Sequence, residues 1–410
     1  MSDVRTQTFD KARASARSDV EVAELEEDPY PAYARLRAQG RLVWVESLNM
    51  WYATHYEDVR SILLDSARFT TESAHSTIYD TFGTQMLSAE GAPHSRYRRA
   101  TQPAFMTSNI RERLEAAIGQ AADALIDGFI ADGESELRAS FASRLPIQVM
   151  LSVFGLPAAS EPRLRVWYDS FERALANFTG DPAVRAAGKR DVAHFHDFLD
   201  EEIGRSPAAD RHGLLHDLVA MQAPERLSDG EIKRNMAIIF FGGISTVEAM
   251  LLNALWALFQ HDEALARVRG DFARLPAAID ETMRWLSPVQ SATRHVAFDT
   301  DYAGTKLKAG ETVNCMLGAA NRDPAVFADP DRFDIERHNA NRHLGFATGP
   351  HMCLGFRLAK AEARIALERL LLRLPGLSLD ELRSAAPSGY EFRQPRALHV
   401  HWQAAPGARS

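Results

Sequence analysis

Apolar side chains recur at three- and four-residue spacing from His94 to about residue 270, which predicts a mainly helical body. Breaks fall near Pro157, Gly180 to Pro182, Pro207 and Pro224. Upstream, residues 1–26 are polar and end with Glu21, Glu24 and Glu26, so a flexible N-terminal segment is expected. Order is expected to begin at Asp28-Pro29-Tyr30-Pro31 and to continue as a helix from Tyr33 to Gly40. Leu42 to Glu46 and Met50 to Thr54 read as paired strands, and Tyr56 to Asp65 returns to helix. Residues 70–92 lack a period and are rich in Ser, Thr and Gly; loops of that length usually have a function. Short strands reappear at His295 to Phe298 and Thr312 to Met316, and a final strand pair is expected around Tyr390 to Trp402. The pattern is that of one interlocked domain over 27–410, mainly α with small β-sheets (α+β).

The longest periodic stretch starts at Ser228-Asp229-Gly230-Glu231, a capping box, and runs to about Phe259. At 1.5 Å per residue it predicts a helix of roughly 45 Å, enough to cross the molecule. Gly242-Gly243 in its middle costs about 1–2 kcal/mol relative to alanines. Two missing side chains either open a groove for a flat ligand and a diatomic gas or permit close packing against another helix. Thr246, one turn beyond Gly242, lies on the same face, where its hydroxyl can bond dioxygen or a helix carbonyl. Met236 to Phe259 is apolar enough to span a membrane, but Glu248 within it favours burial in protein.

Composition narrows the class. The chain is 46% apolar, enough for a large core, and 47 basic against 55 acidic residues leave a net charge of −8. Nothing basic suggests nucleic acid. Two cysteines offer no disulfide framework and fit a reducing, cytoplasmic setting. The start, Met1-Ser2-Asp3-Val4-Arg5-Thr6, lacks the apolar segment of a signal peptide or membrane anchor.

Cys353 stands in Phe346-Ala347-Thr348-Gly349-Pro350-His351-Met352-Cys353-Leu354-Gly355. Gly349 and Gly355 let backbone approach a flat ring system. Helix-favouring sequence from Leu354 to Leu372 puts the sulfur at a helix N-terminus, where N–H groups favour thiolate. The run resembles the cysteine-ligand loop of the cytochrome P-450 family, F-x-x-G-x-H-x-C-x-G, at every fixed position, and the resemblance covers roughly residues 28–403. It implies the cytochrome P-450 fold, with the long central helix crossing over a haem. It also implies haem b (iron protoporphyrin IX) with Cys353 as its iron ligand, Phe346 shielding the sulfur, O2 as co-substrate, and monooxygenase activity.

Further residues acquire roles through the same resemblance. Gly242-Gly243-Ile244-Ser245-Thr246 is similar to the family's oxygen-activation stretch, except that Ser245 replaces an acid. Serine relays protons but cannot supply one at neutral pH. Glu248, on the same helix face as Ser245, has two readings: it feeds protons through Ser245 and water, or it makes an unrelated salt bridge. The substitution also raises two alternatives: a peroxygenase or atypical haem-thiolate catalyst, and a non-catalytic haem-thiolate binding protein. Glu281 and Arg284 match the family's structural E-x-x-R pair, with Arg332 or Arg337 as its third member. His94, Arg98, Arg294, His343 and His351 fall where the family binds haem propionates. Zinc is a poor alternative, because His338, His343, His351 and Cys353 fit no compact zinc site.

Candidate substrate contacts are Ile78, Phe82, Leu87, Phe178, Ile239, Phe240, Gly243, Val289 and Phe392, mostly apolar, which suggests a hydrophobic or aromatic substrate. No flavin or iron–sulfur segment follows Gly355, so electrons are expected from a ferredoxin-type donor and a separate reductase, ultimately from NAD(P)H. Arg96, Arg99, Arg111, Arg113, Arg357, Lys360 and Arg364 are the candidate docking patch. A monomer is expected, with neither nucleic acid nor membrane as partner.

Overall fold

The computed structural model describes residues 17–18, 20–73, 76–177, 180–205 and 212–404. Helices form most of it, and the principal sheet is small. Its strands are β1 (Arg17–Ser18), β2 (Val43–Val45), β3 (Met50–Ala53), β4 (Phe69–Thr70), β5 (Ser291–Val296) and β6 (Thr312–Met316), in the order β1-β2-β3-β6-β5-β4. The expected hairpin is present, with Trp44 opposite Trp51. β6 joins the N-terminal strands to β5, lying parallel to β3 and antiparallel to β5.

Three expectations need correction, two of them in the terminal segments. Residues 17–18 and 22–27 are not loose: Arg17–Ser18 pairs parallel with β2, and Val22–Glu27 is helical with Leu25 buried. The terminal strands do not pair with each other. Gln394–Pro395 pairs with Pro387–Ser388, whereas His399–His401 lies between Ser378–Leu379 and Glu134–Glu136.

Seven helices position the site: α1 (Gly91–Thr101), α2 (Leu145–Phe154), α3 (Glu161–Leu175), α4 (Asp229–Gly242), α5 (Ser245–Phe259), α6 (Leu275–Trp285) and α7 (Phe356–Arg373). The capping box starts α4: Ser228 Oγ accepts from Glu231 N–H at 3.4 Å, and the Glu231 carboxylate accepts from Ser228 N–H at 2.8 Å. Helices α4 and α5 occupy the expected long stretch, Asp229–Phe259, 78% of whose most apolar window is buried. It is not one uninterrupted helix. Gly243 N–H donates to both Ile239 and Phe240 carbonyls, Ile244 departs to φ −112° and ψ −79°, and α5 restarts at Ser245.

Candidate active site

Cys353 ends a tight loop ahead of α7. Its N–H donates to the Phe346 carbonyl at 2.9 Å, and its sulfur receives the N–H groups of Gly355 and Phe356 at the helix start. Burial nevertheless pushes the thiol up, against the pull of those N–H groups and of the nearby Arg98 guanidinium. The helix terminus alone does not make a thiolate here; a bound metal would. Gly349 is required for a reason other than the expected one. Its φ is +76°, and a Cβ there would lie 2.5 Å from the Leu63 carbonyl oxygen, so it serves packing of the loop. The Phe346 ring packs between His343 and Phe356, at 5.5 and 6.0 Å.

The expected propionate residues divide into two sets. His351 Nε2 lies 3.1 Å from the Glu90 carboxylate, and His343 Nε2 lies 3.5 Å from Asp280 while its Nδ1 accepts from Gly345 N–H. These two already have acidic partners. Among the described residues, Arg98, Arg294 and His94 have none in ion-pair range. Arg294 is 4% exposed, and its side chain donates one bond, to the Thr293 carbonyl at 2.9 Å. Arg98 is half-buried, with no carboxylate in ion-pair range among the described residues, and it lies close enough to Cys353 for each to shift the other. His94 Nε2 is buried without a partner, and burial, then His351 and Arg98, push its imidazole down to about 4. Buried cations and donors without acceptors fit an anion supplied from outside the chain.

Across the break between α4 and α5, the two glycines have different roles. Gly242, the last residue of α4, is exposed, and a Cβ added to it meets nothing within 4 Å. It lines open space. A Cβ on Gly243 would lie 2.6 Å from Met150 Sδ, so this glycine serves contact with α2 and not the groove. Thr246 Oγ1 donates to the Gly242 carbonyl at 2.7 Å, satisfying an acceptor that the break frees. Ser245 Oγ is buried and completes no hydrogen bond of good geometry. Glu248 is bonded to Arg138 Nε at 2.7 Å and Gln394 Nε2 at 3.2 Å, with no hydrogen bond to Ser245. Of its two readings, the structure therefore favours the salt bridge over the proton source beside Ser245.

The E-x-x-R pair is fully buried and bidentate, with Arg284 Nε and Nη2 each 2.7 Å from the Glu281 carboxylate. Arg337 is the third member, its Nε 3.2 Å from Glu281. Arg332 contributes only its carbonyl, to Arg284 and Arg337, while its exposed side chain faces Asp334.

Among the substrate candidates, Phe82 and Phe392 converge on Phe241, at ring distances of 6.2 and 6.3 Å. Val289 bridges to Phe392 through the backbone. Ile78 and Ile239 pack partly buried on the same core, and Leu87 is exposed. Phe240 turns away into a ring cluster, stacked on Phe195 at 5.5 Å, so it belongs to the core. Phe178 lies outside the described residues. Sequence reading missed Phe241, whose neighbour Phe240 shares its composition signal but faces another direction. It also missed Tyr168, which lies beside Ser245, and Glu172, which accepts from the Tyr168 hydroxyl; both are on α3 and carry no local motif.

A half-buried cysteine at a helix start, basic groups beside it without acidic partners among the described residues, and a broken helix with an open glycine define a haem-thiolate class of protein. Known proteins agree. The cytochrome P450 family profile matches residues 185–377. The monooxygenase PikC of Streptomyces venezuelae is 35% identical over 366 residues, covering 86% of this chain and 85% of that protein. The mycinamicin IV hydroxylase/epoxidase of Micromonospora griseorubida is 33% identical, with 86% and 89% covered. Among solved structures, P450BioI in complex with an acyl carrier protein ligated to hexadec-9Z-enoic acid superposes with a TM-score of 0.84 at 29% identity, covering 93% of this chain and all of that one.

The chain belongs to the cytochrome P450 family, and it is an oxidoreductase of the monooxygenase type. Membership implies haem b and dioxygen, and the residues present fit that cofactor: Cys353 as the iron ligand, with Arg98, Arg294 and His94 left for its carboxylates.

Proposed function

We propose that the enzyme inserts one oxygen atom into a small to medium hydrophobic or aromatic substrate, using electrons from a ferredoxin-type donor and its NAD(P)H-dependent reductase. It acts as a cytoplasmic monomer. When bound, a thiolate-ligated haem supplies the oxidising chemistry, because the thiolate favours O–O cleavage over reversible oxygen binding. The chain's residues position and protect. Arg98, Arg294 and His94 hold the carboxylates, Gly242 leaves room for dioxygen, and Thr246 presents its hydroxyl at the break. The observation that carries the substrate class is the apolar wall built by Phe82, Phe241, Phe392 and Val289. Titrating haem-loaded protein with small hydrophobic compounds tests it: an aromatic or hydrophobic ligand should shift the iron's spin state, and a response confined to polar ligands contradicts the reading.

Redox docking reduces to fewer residues than expected. Arg96, Arg99, Lys360 and Arg364 are paired with Glu231, Glu225, Asp280 and Glu115 respectively. Arg111, Arg113 and Arg357 are exposed and have no carboxylate partner among the described residues, so they are the cations available to an acidic donor. Arg111→Glu with Arg113→Glu should raise the ferredoxin concentration for half-maximal rate, most clearly at low salt; an unchanged value removes this patch. Peroxide-driven turnover is a second reading, motivated by the unbonded Ser245 hydroxyl.

A further inference from the structure

We propose that Glu172 and Tyr168, on α3, take over the work of the acid missing at Ser245 and relay protons to the broken helix. The proposal rests on the reductive monooxygenase reading above. Tyr168 is buried, and its hydroxyl donates to Glu172 Oε1 at 3.3 Å. The same side chain lines a cavity together with Ile244, immediately before Ser245, the first residue of α5, and its hydroxyl is close enough to the Ser245 hydroxyl and backbone N–H to be influenced by both without a hydrogen bond of good geometry. Ser245 Oγ, otherwise without a partner, therefore has a phenol beside it and a carboxyl behind the phenol. Glu172 makes no ion pair among the described residues and is half-buried on a cavity of about 220 Å³, which Tyr168, Ile244 and Glu248 also line. That cavity places a protonatable group between solvent and the break. Glu248 lines it too, but is committed to Arg138 and Gln394.

The proton balance is simple. Oxygen insertion takes R–H, O2, two electrons and two protons to R–OH and water. The external donor supplies the electrons, and this chain must deliver the protons. Glu172 takes a proton from water in the cavity and donates it to the Tyr168 oxygen. Tyr168 then passes its own proton to Ser245 Oγ, which releases one at the break beside Thr246. Burial pushes the Glu172 carboxyl above the usual carboxylate range, against the pull of the Tyr168 hydrogen bond and the Arg138 charge. The groups facing the pair are Glu248, Arg138, Glu136, Asp169, Arg165 and Arg173. Coupling should therefore be greatest at low pH and decline as pH rises and Glu172 loses its proton.

Two readouts test the relay. Infrared difference spectra across pH should show a carboxylic acid band titrating above the usual range, absent in Glu172→Gln and displaced in Tyr168→Phe. With ferredoxin and reductase, product per electron should fall about a hundredfold in Glu172→Gln, the lower end of the range for a lost acid–base group. Peroxide-driven turnover, which brings its own protons, should stay unchanged. Glu172→Asp should recover most of the coupling, and Ser245→Asp added to Glu172→Gln should restore it. Normal coupling in Glu172→Gln overturns the relay alone. A wild type that turns over only with peroxide overturns the reductive reading and the relay with it. If Glu172→Gln does not fold, Tyr168→Phe, which removes one oxygen atom, decides by the same measures.

Discussion

Two buried arginines in this molecule have opposite circumstances. Arg284 is fully buried and donates from all three side-chain nitrogens, to Glu281 and to the carbonyls of Asn321, Pro330 and Arg332. Arg294 is almost as buried and donates one bond, to a neighbouring carbonyl. A buried guanidinium with every donor used is part of the fold. One with its donors idle is held ready for a ligand, at some expense to stability. The contrast separates what shapes the haem site from what receives the haem.

The largest expected effect lies on the satisfied side. Glu281→Gln leaves Arg284 and Arg337 buried against a neutral amide and should destabilise the protein by about 3–5 kcal/mol. Thermal or denaturant melting would show it, and a loss below about 1 kcal/mol, the worth of an exposed pair, would mean that the cluster is ornamental. On the waiting side, Arg294→Met should leave the haem-free protein at least as stable as wild type. Its haem affinity should fall by about 2–5 kcal/mol, the penalty for removing one partner of a buried charge pair. A lower melting temperature with normal haem retention would erase the distinction between the two arginines.

The paired glycines sharpen the same contrast at smaller scale. Gly243→Ala meets Met150 Sδ and should cost about 1–3 kcal/mol of stability as the core is overpacked. Gly242→Ala enters open space at the end of α4 and should fold as well as wild type. It should instead lower turnover by narrowing the oxygen groove. The opposite assignment, with Gly242→Ala unfolding and Gly243→Ala merely slow, would contradict these roles.

What could be read from the sequence follows the range of the interactions. The Cys353 loop, the Glu281–Arg284 pair and the α4 capping box depend on neighbours within a turn or a short loop, and their spacing exposed them. The break at Gly243–Ile244 did not show, because contact with Met150 on another helix sets one glycine's role and the Thr246 back-bond completes the interruption. Arg337 could not be separated from Arg332 by spacing alone, since only the fold decides which side chain turns inward. The N-terminal pairing of Arg17–Ser18 with β2 was hidden by polar composition. Tyr168 and Glu172 carry no motif at all; they matter because α3 lies against the one place where the long helix opens.

The role of every residue around the site depends on Cys353 ligating haem iron as a thiolate. The absorption band of the reduced, carbon monoxide-treated protein tests it, with wild type set beside Cys353→His. Wild type should show the strongly red-shifted band of thiolate ligation, and Cys353→His, if it keeps haem, should move to the shorter-wavelength band of imidazole ligation. An imidazole-type band in wild type, or the same band in both proteins, would contradict the account.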